Sequence, residues 1–184
     1  YRLVTGKMVQ LKYCCDTSIT AARAREVATL KTGALMRLCA ELGALTAGRS
    51  LEEAVALGAV FEGLGVAFQV VDDLLDLTGD EATVGKAVGK DVTQGTISFP
   101  VALALDSAPM HRKALVRAFA QRAPEARLGR LVRHALVRSE AVPRALEVVE
   151  RELMPVTRTV AALPPSLARD TLASVCAAMG LRGS

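Results

Sequence analysis

Apolar residues recur at spacings of three and four along almost the whole chain, and few glycines or prolines interrupt them. That period suits helices, and no segment keeps the two-residue alternation of a half-buried strand, so the expected fold is all-α. Helices are predicted from about Leu3 to Cys14 and from about Thr20 to Ala47, the second ended by Gly48. Ser50, with Glu53 three residues on, forms a capping box that opens a helix running to about Leu77 and stopping at Thr78-Gly79. The stretch from Gly79 to Thr96 is rich in glycine and charge, poor in apolar spacing, and is expected as a loop. Further helices are expected over Pro100 to Asp106, Met110 to Gln121 and Pro124 to Arg138. Ser139 opens a longer one, kinked at Pro155, and Pro164-Pro165 introduces a last helix that Gly180 ends.

Composition fixes size and class. With 184 residues, 51% apolar and 23% charged, the chain makes one domain with a sizeable core, and a disordered reading is excluded. A net charge of +4 with only 3% aromatics gives bases little to stack on, so no nucleic-acid partner is expected. Anionic small molecules suit that charge at least as well. No run approaches the roughly 20 apolar residues of a membrane span, and no signal-peptide pattern opens the chain, so an integral membrane protein is not expected. Cys14, Cys15, Cys39 and Cys176 fit neither a disulfide framework nor a CxxC zinc site, which points to a reducing cytoplasm. Arg127, Arg130, Arg133 and Arg138 lie opposite the apolar stripe of Leu128, Leu131, Val132, Ala135 and Leu136 and are read as a solvated face. His111 and His134 lack metal-ligand spacing and are expected in structural or solvent-facing roles.

The sharpest chemical signal is Phe68-Gln69-Val70-Val71-Asp72-Asp73-Leu74-Leu75-Asp76, three carboxylates in five residues of an otherwise apolar helix. On a helix Gln69, Asp72, Asp73 and Asp76 fall at i, i+3, i+4 and i+7 and make one polar stripe, with Leu64, Phe68, Val71 and Leu75 as the apolar stripe beside it. Like charges so close repel, and either a cation sits among them or they face water and arginine. Carboxylates without His or thiolate are hard oxygen donors that suit Mg²⁺, and Mg²⁺ suggests phosphate. Lys31 falls on the stripe of Ala24, Ala28, Leu35, Leu38, Leu42 and Leu45, where a lysine either snorkels out or meets an anion. The loop Gly85-Lys86-Ala87-Val88-Gly89-Lys90-Asp91 is not a P-loop, because Ala87 stands where Ser or Thr is needed, yet its glycines and lysines suit close approach to phosphate. Together these features describe a Mg²⁺-diphosphate site.

In these motifs the chain resembles the trans-isoprenyl diphosphate synthases, or polyprenyl synthetases. The segment from Phe68 to Asp76 is similar to their second aspartate-rich motif, Lys31-Thr32-Gly33 to their Lys-Thr motif, and Gly6 through Leu11 to an upstream Gly-Glu-x-x-Gln-Leu segment. Gly85-Lys86 with Gly89-x-Asp91 resembles the loop that follows, and the final helix after Leu163-Pro164 the usual C-terminus. The resemblance implies an antiparallel helical bundle of the isoprenoid synthase type around a central cavity, usually dimeric. It also implies condensation of an allylic diphosphate with isopentenyl diphosphate, the allylic diphosphate being held by Mg²⁺ between two aspartate-rich motifs. Carried over, Asp72 is the main metal ligand, supported by Asp73 and Asp76, while Lys31 and Lys86 hold the diphosphate. Thr32 and Gln69 line the site and Asp91 orders the loop.

Three departures accompany the likeness. The family's first aspartate-rich motif and the helices before it are not in this sequence, so the chain corresponds to the C-terminal portion of one synthase-like domain over residues 1–184. The expected enzyme then needs the N-terminal half, or a homodimeric or heterodimeric partner that supplies those aspartates. Lys7 stands where the upstream motif has Glu, and Thr96 where the loop has a diphosphate-binding Lys, for which Lys90 is expected to substitute. The rival reading is a non-catalytic regulatory subunit of a heteromeric prenyl diphosphate synthase, whose mark would be loss of the aspartates. A terpene cyclase is the weaker rival, since no Asn-Asp, Ser, Glu type of metal motif follows the acids. Product chain length is not encoded in this portion.

Overall fold

Ser50 and Glu53 close the capping box as expected: the Ser50 Oγ accepts the Glu53 N–H at 3.2 Å, and the Ser50 N–H donates to Glu53 Oε2 at 2.9 Å. The helix this box starts is the centre of the fold. In the computed structural model, which describes residues 1–78, 90–107 and 109–182, the helices are α1 (Arg2–Lys12), α2 (Ala21–Ala28), α3 (Ala34–Thr46), α4 (Leu51–Thr78) and α5 (Lys90–Thr93). They continue with α6 (Phe99–Ser107), α7 (Pro109–Ala120), α8 (Glu125–Val137), α9 (Ala141–Ala161) and α10 (Leu167–Arg182). No strand occurs among the described residues, so the all-α expectation holds.

The long helix α4 buries Val66, Ala67, Val70, Val71, Leu74 and Leu77 and packs against α2, α3, α6, α9 and α10. Each valine or leucine among them contributes roughly 1.5 to 3 kcal/mol when fully buried. Seven consecutive residues of α6, Phe99 to Leu105, are buried, which is the pattern of a helix enclosed on all sides. On α9 the residues Ala145, Val148, Val149, Leu153, Val156 and Val160 form a 3–4 stripe against the core. The arginine face of α8 is exposed at Arg127, Arg130, Arg133 and Arg138, while Leu128, Val132, Ala135 and Leu136 are buried, as expected.

Five features correct the sequence reading. First, α4 is long and apolar enough to cross a membrane by length and composition, contrary to the expectation that no segment was. Its seat at the middle of the bundle accounts for that composition. Second, the helix predicted from Thr20 to Ala47 contains a π-helical turn, Thr29–Gly33, between α2 and α3. A π-turn takes in about one residue more than an α-turn and rotates everything downstream by about 100°. The stripe therefore starts buried at Ala24 and Ala28 and ends on the surface, with Leu35, Leu38, Leu42 and Leu45 each 41–53% exposed. Third, the expected loop contains α5, followed by a turn at residues 94–95 and by Thr96, and its stretch 79–89, including Gly85 and Lys86, lies outside the described residues, as does the Lys90 side chain. Fourth, Gly180 does not end the last helix. No atom lies within 4 Å of where its Cβ would stand, and α10 continues to Arg182. Fifth, Phe68 is 47% exposed instead of joining the apolar stripe.

Two glycines set how closely α4 meets the π-turn. A Cβ on Gly65 would stand 2.6 Å from the Gly33 Cα and 2.9 Å from the Gly33 N and Thr32 O, all backbone atoms that cannot swing aside. Gly65→Ala is expected to destabilise the chain by about 1 to 3 kcal/mol, as overpacking does. Gly43→Ala on α3, where a Cβ meets nothing within 4 Å, is expected to stabilise it by about 0.5 to 1 kcal/mol through helix propensity alone. Urea midpoints of the two variants, which should move in opposite directions, check both statements.

Candidate functional site

The Gly33–Gly65 crossing lays the π-turn against the next turn of α4. There the Thr32 hydroxyl donates to Gln69 Oε1 at 2.6 Å, and Gln69 Nε2 donates to Asp73 Oδ1 at 2.9 Å. Gln69 and Asp73 are four residues apart and share a helix face, so a single amide bridges the threonine on one wall to the carboxylate on the other. Two expected site residues, Thr32 and Gln69, are thus in direct contact, and the π-turn that carries Lys31-Thr32 is what faces them toward α4.

The acidic stripe is not uniform. Asp72 is exposed, Asp76 is half-buried, and Asp73 is only 7% exposed. Burial pushes the Asp73 carboxyl up from its ordinary 3.8 to about 7, with the Asp91 and Asp72 charges adding to the rise, while the Gln69 hydrogen bond and Lys31 oppose it. Asp76 Oδ2 accepts the backbone N–H of Asp91 at 3.3 Å, tying the C-terminal end of α4 to the start of α5. Asp91 therefore lies beside the end of α4, and its contact with Asp76 runs through its backbone.

Lys31, Gln69, Asp73, Asp91 and Thr96 line one recess. Gln10 and Tyr13 line it too. Sequence reasoning quoted Gln10 within the Gly6 to Leu11 segment without giving it a role, and missed Tyr13 altogether. The only available signal was its place one turn after Gln10 at the end of α1. Gly6 explains why α1 can bring both there: its Cβ would stand 2.9 Å from the Leu30 Cβ and the Lys31 N, so only glycine lets α1 seat against the π-turn. Of the expected cations, Lys31 is in place, whereas Lys86 and the Lys90 side chain lie outside the described residues.

The donor chemistry suits a hard cation, since Asp72, Asp73 and Asp76 offer only oxygen. Among the described residues no three His, Cys, Asp or Glu side chains converge closely enough to enclose a metal ion. One wall of carboxylates fits part of an Mg²⁺ shell completed by water and phosphate oxygens, the usual manner in which that ion is held.

Comparison with known proteins identifies the family and the fold. The profile of the polyprenyl synthetase family matches residues 1–134. Heptaprenyl diphosphate synthase component 2 of Geobacillus stearothermophilus is 31% identical over 152 residues, covering 83% of this chain and 47% of that protein. Farnesyl diphosphate synthase of Escherichia coli is 44% identical over 87 residues, 47% of this chain and 29% of its own length. The crystal structure of a polyprenyl synthase from Caulobacter crescentus, complexed with calcium and isoprenyl diphosphate, superposes with a TM-score of 0.86 at 27% identity over 100% of this chain and 56% of that one. The chain spans less than half the length of these two curated relatives.

Proposed function

The chain belongs to the polyprenyl synthetase family, and from that premise we propose that it carries the diphosphate-binding wall of a Mg²⁺-dependent prenyltransferase condensing an allylic diphosphate with isopentenyl diphosphate. The observation that carries the reading is the Thr32–Gln69–Asp73 chain of hydrogen bonds, which ties the π-turn to α4 beside a recess lined by Lys31, Asp73 and Asp91, with Asp72 and Asp76 on the same helix outside that lining. Residues 1–184 would form the C-terminal portion of a single synthase-like domain.

Asp72, Asp73 and Asp76 would hold Mg²⁺, with Asp72 the principal donor because it is the exposed one. Bound there, the ion would neutralise diphosphate oxygens and so make the diphosphate a better leaving group. Lys31 would meet the same diphosphate as a point charge and support the negative charge that builds as the allylic C–O bond breaks. Thr32 and Gln69 would fix the recess wall, and Asp91, through Asp76, would hold α5 closed against it. The electron pair of the broken bond leaves with diphosphate. The double bond of isopentenyl diphosphate then attacks the allylic carbon, and a proton is lost. Lys86 and Lys90 would complete the cationic side, Lys90 in place of the lysine that Thr96 replaces.

A second aspartate-rich motif would have to face this one, supplied by an N-terminal half or by a partner chain in a homodimer or heterodimer. The likeness to a protein named component 2 supports a partnered enzyme. The regulatory-subunit reading has less support, because all three aspartates are retained. A cytoplasmic setting is in keeping with four free cysteines.

Co-expression with a polypeptide bearing the first aspartate-rich motif tests the reading. Labelled isopentenyl diphosphate is expected to enter an extended prenyl diphosphate in the mixture and not with the 184-residue chain alone. Turnover by the chain alone would remove the need for a second wall, and no product from any complemented mixture would overturn the proposed reaction.

A further inference from the structure

Cys14 and Cys15 are adjacent in sequence, yet their side chains converge. Consecutive residues ordinarily point about 100° apart on a helix and to opposite faces on a strand. Here Cys15 has φ of 59°, in the left-handed region that an ordinary side chain enters at a cost, and that turn brings both sulfurs over one spot. The spot is Gly95, itself at φ of 81°: its Cβ would stand 2.4 Å from the Cys15 Sγ and 2.9 Å from the Cys14 Sγ. The two sulfurs are 4.0 Å apart. The Cys15 N–H donates to the Gly95 carbonyl at 2.8 Å, and the Cys14 thiol donates to the Gln94 carbonyl at 3.4 Å, so the pair is pinned to the turn that follows α5. Beside it opens a cavity of about 450 Å³, bordered by Cys14, Cys15, Gln94 and Arg122.

That spacing decides between the two things a vicinal dithiol can do. A disulfide would draw the sulfurs from 4.0 Å to about 2.05 Å across neighbouring Cα atoms only about 3.8 Å apart, below the usual range of about 4.4 to 6.8 Å. A soft ion needs no such movement. Two metal–sulfur bonds of about 2.3 Å spanning 4.0 Å meet at about 120°, close to tetrahedral or trigonal coordination. We propose that Cys14 and Cys15 form a chelating site for a soft, thiophilic d¹⁰ cation, with the Gln94 carbonyl oxygen and water from the adjoining cavity as further donors. Binding breaks two S–H bonds, releases two protons to solvent and forms two S–metal bonds, with no change of oxidation state. Cys14 is exposed and Cys15 half-buried, so an ion can reach both, whereas Cys176 is buried and Cys39 stands alone on α3.

The test uses Cd²⁺ on the reduced chain, read by the ultraviolet thiolate-to-metal charge-transfer band and by native mass. One Cd²⁺ per chain is expected, with an affinity at least about 100-fold above that of an isolated surface thiol, the advantage a second tethered ligand gives. Cys14→Ser and Cys15→Ser should each abolish that tight event, and Cys39→Ser should leave it intact. Both serine variants are near-isosteric, and far-ultraviolet circular dichroism confirms that they fold. Tight uptake that survives Cys14→Ser or Cys15→Ser, uptake that follows Cys39, or affinity no better than a lone thiol overturns the proposal. None of these readouts depends on prenyl transfer, so the site stands or falls apart from the proposed reaction.

Discussion

In the complemented enzyme at saturating Mg²⁺, Asp72→Ala is expected to lower kcat by about two to three orders of magnitude, the loss that follows removal of one preorganised electrostatic contact to a transition state. Asp76→Ala should cost less in kcat and show mainly as a raised KM for the allylic diphosphate. The difference follows from what each carboxylate already does. Asp72 is exposed on α4, and its carboxylate is open to solvent and to a ligand. Asp76 is half-buried and accepts the Asp91 N–H, so its oxygen is committed to holding α5, whose residue Asp91 lines the recess. Removing it loosens a wall, while removing Asp72 deletes a donor. Steady-state kinetics of both variants checks this, and equal kcat losses would show that the principal metal donor has been misassigned.

The contrast between these neighbours also marks how far the sequence could be read. Helix positions followed from apolar period and caps because each is a local property, and Ser50, Glu53 and Thr20 all cap as their types suggest. The acidic stripe was legible as chemistry but drawn too wide. Asp72 and Asp73 stand about 100° apart on a helix, which is enough for one to face water while the other turns inward. Half of that signal was in the sequence: the positions three before and four after Asp73 are the apolar Val70 and Leu77, but Phe68, four before Asp72, is apolar too, and only the structure shows it exposed. The π-turn was not legible, because a change from four- to five-residue hydrogen bonding is selected by packing and not by the composition of Thr29–Gly33. Nor was the Gly33–Gly65 crossing, since a glycine that exists for close approach looks in sequence like any other helical glycine. Those two tertiary features set the distance between Thr32 and Gln69, and they turn a set of candidate residues into a connected wall.

Asp73→Asn is expected to stabilise the metal-free chain, and to do so in a pH-dependent way. Folded Asp73 has its carboxyl raised to about 7 from 3.8, mainly by burial, so the folded state binds the proton more tightly than the unfolded one. Below pH 3.8 both states are protonated and the group costs nothing. Between there and about pH 7 the unfolded chain ionises while the folded chain holds its proton, so stability falls as pH rises, and above about 7 the full penalty persists. At about 1.4 kcal/mol per pH unit over that interval, the penalty is on the order of 4 kcal/mol. Asparagine keeps the shape and still accepts the Gln69 Nε2 hydrogen at its Oδ1, but it never ionises. Urea denaturation should therefore show near-equal stability of the two proteins at pH 4 and a variant more stable by several kcal/mol at pH 8. A difference that does not change between those pH values would mean that Asp73 is solvated when charged. The same comparison bears on the proposed function, under which a bound cation would offset that cost. Adding Mg²⁺ with inorganic pyrophosphate at pH 8 should narrow the gap by stabilising the ionised wild-type side chain and leaving the asparagine behind.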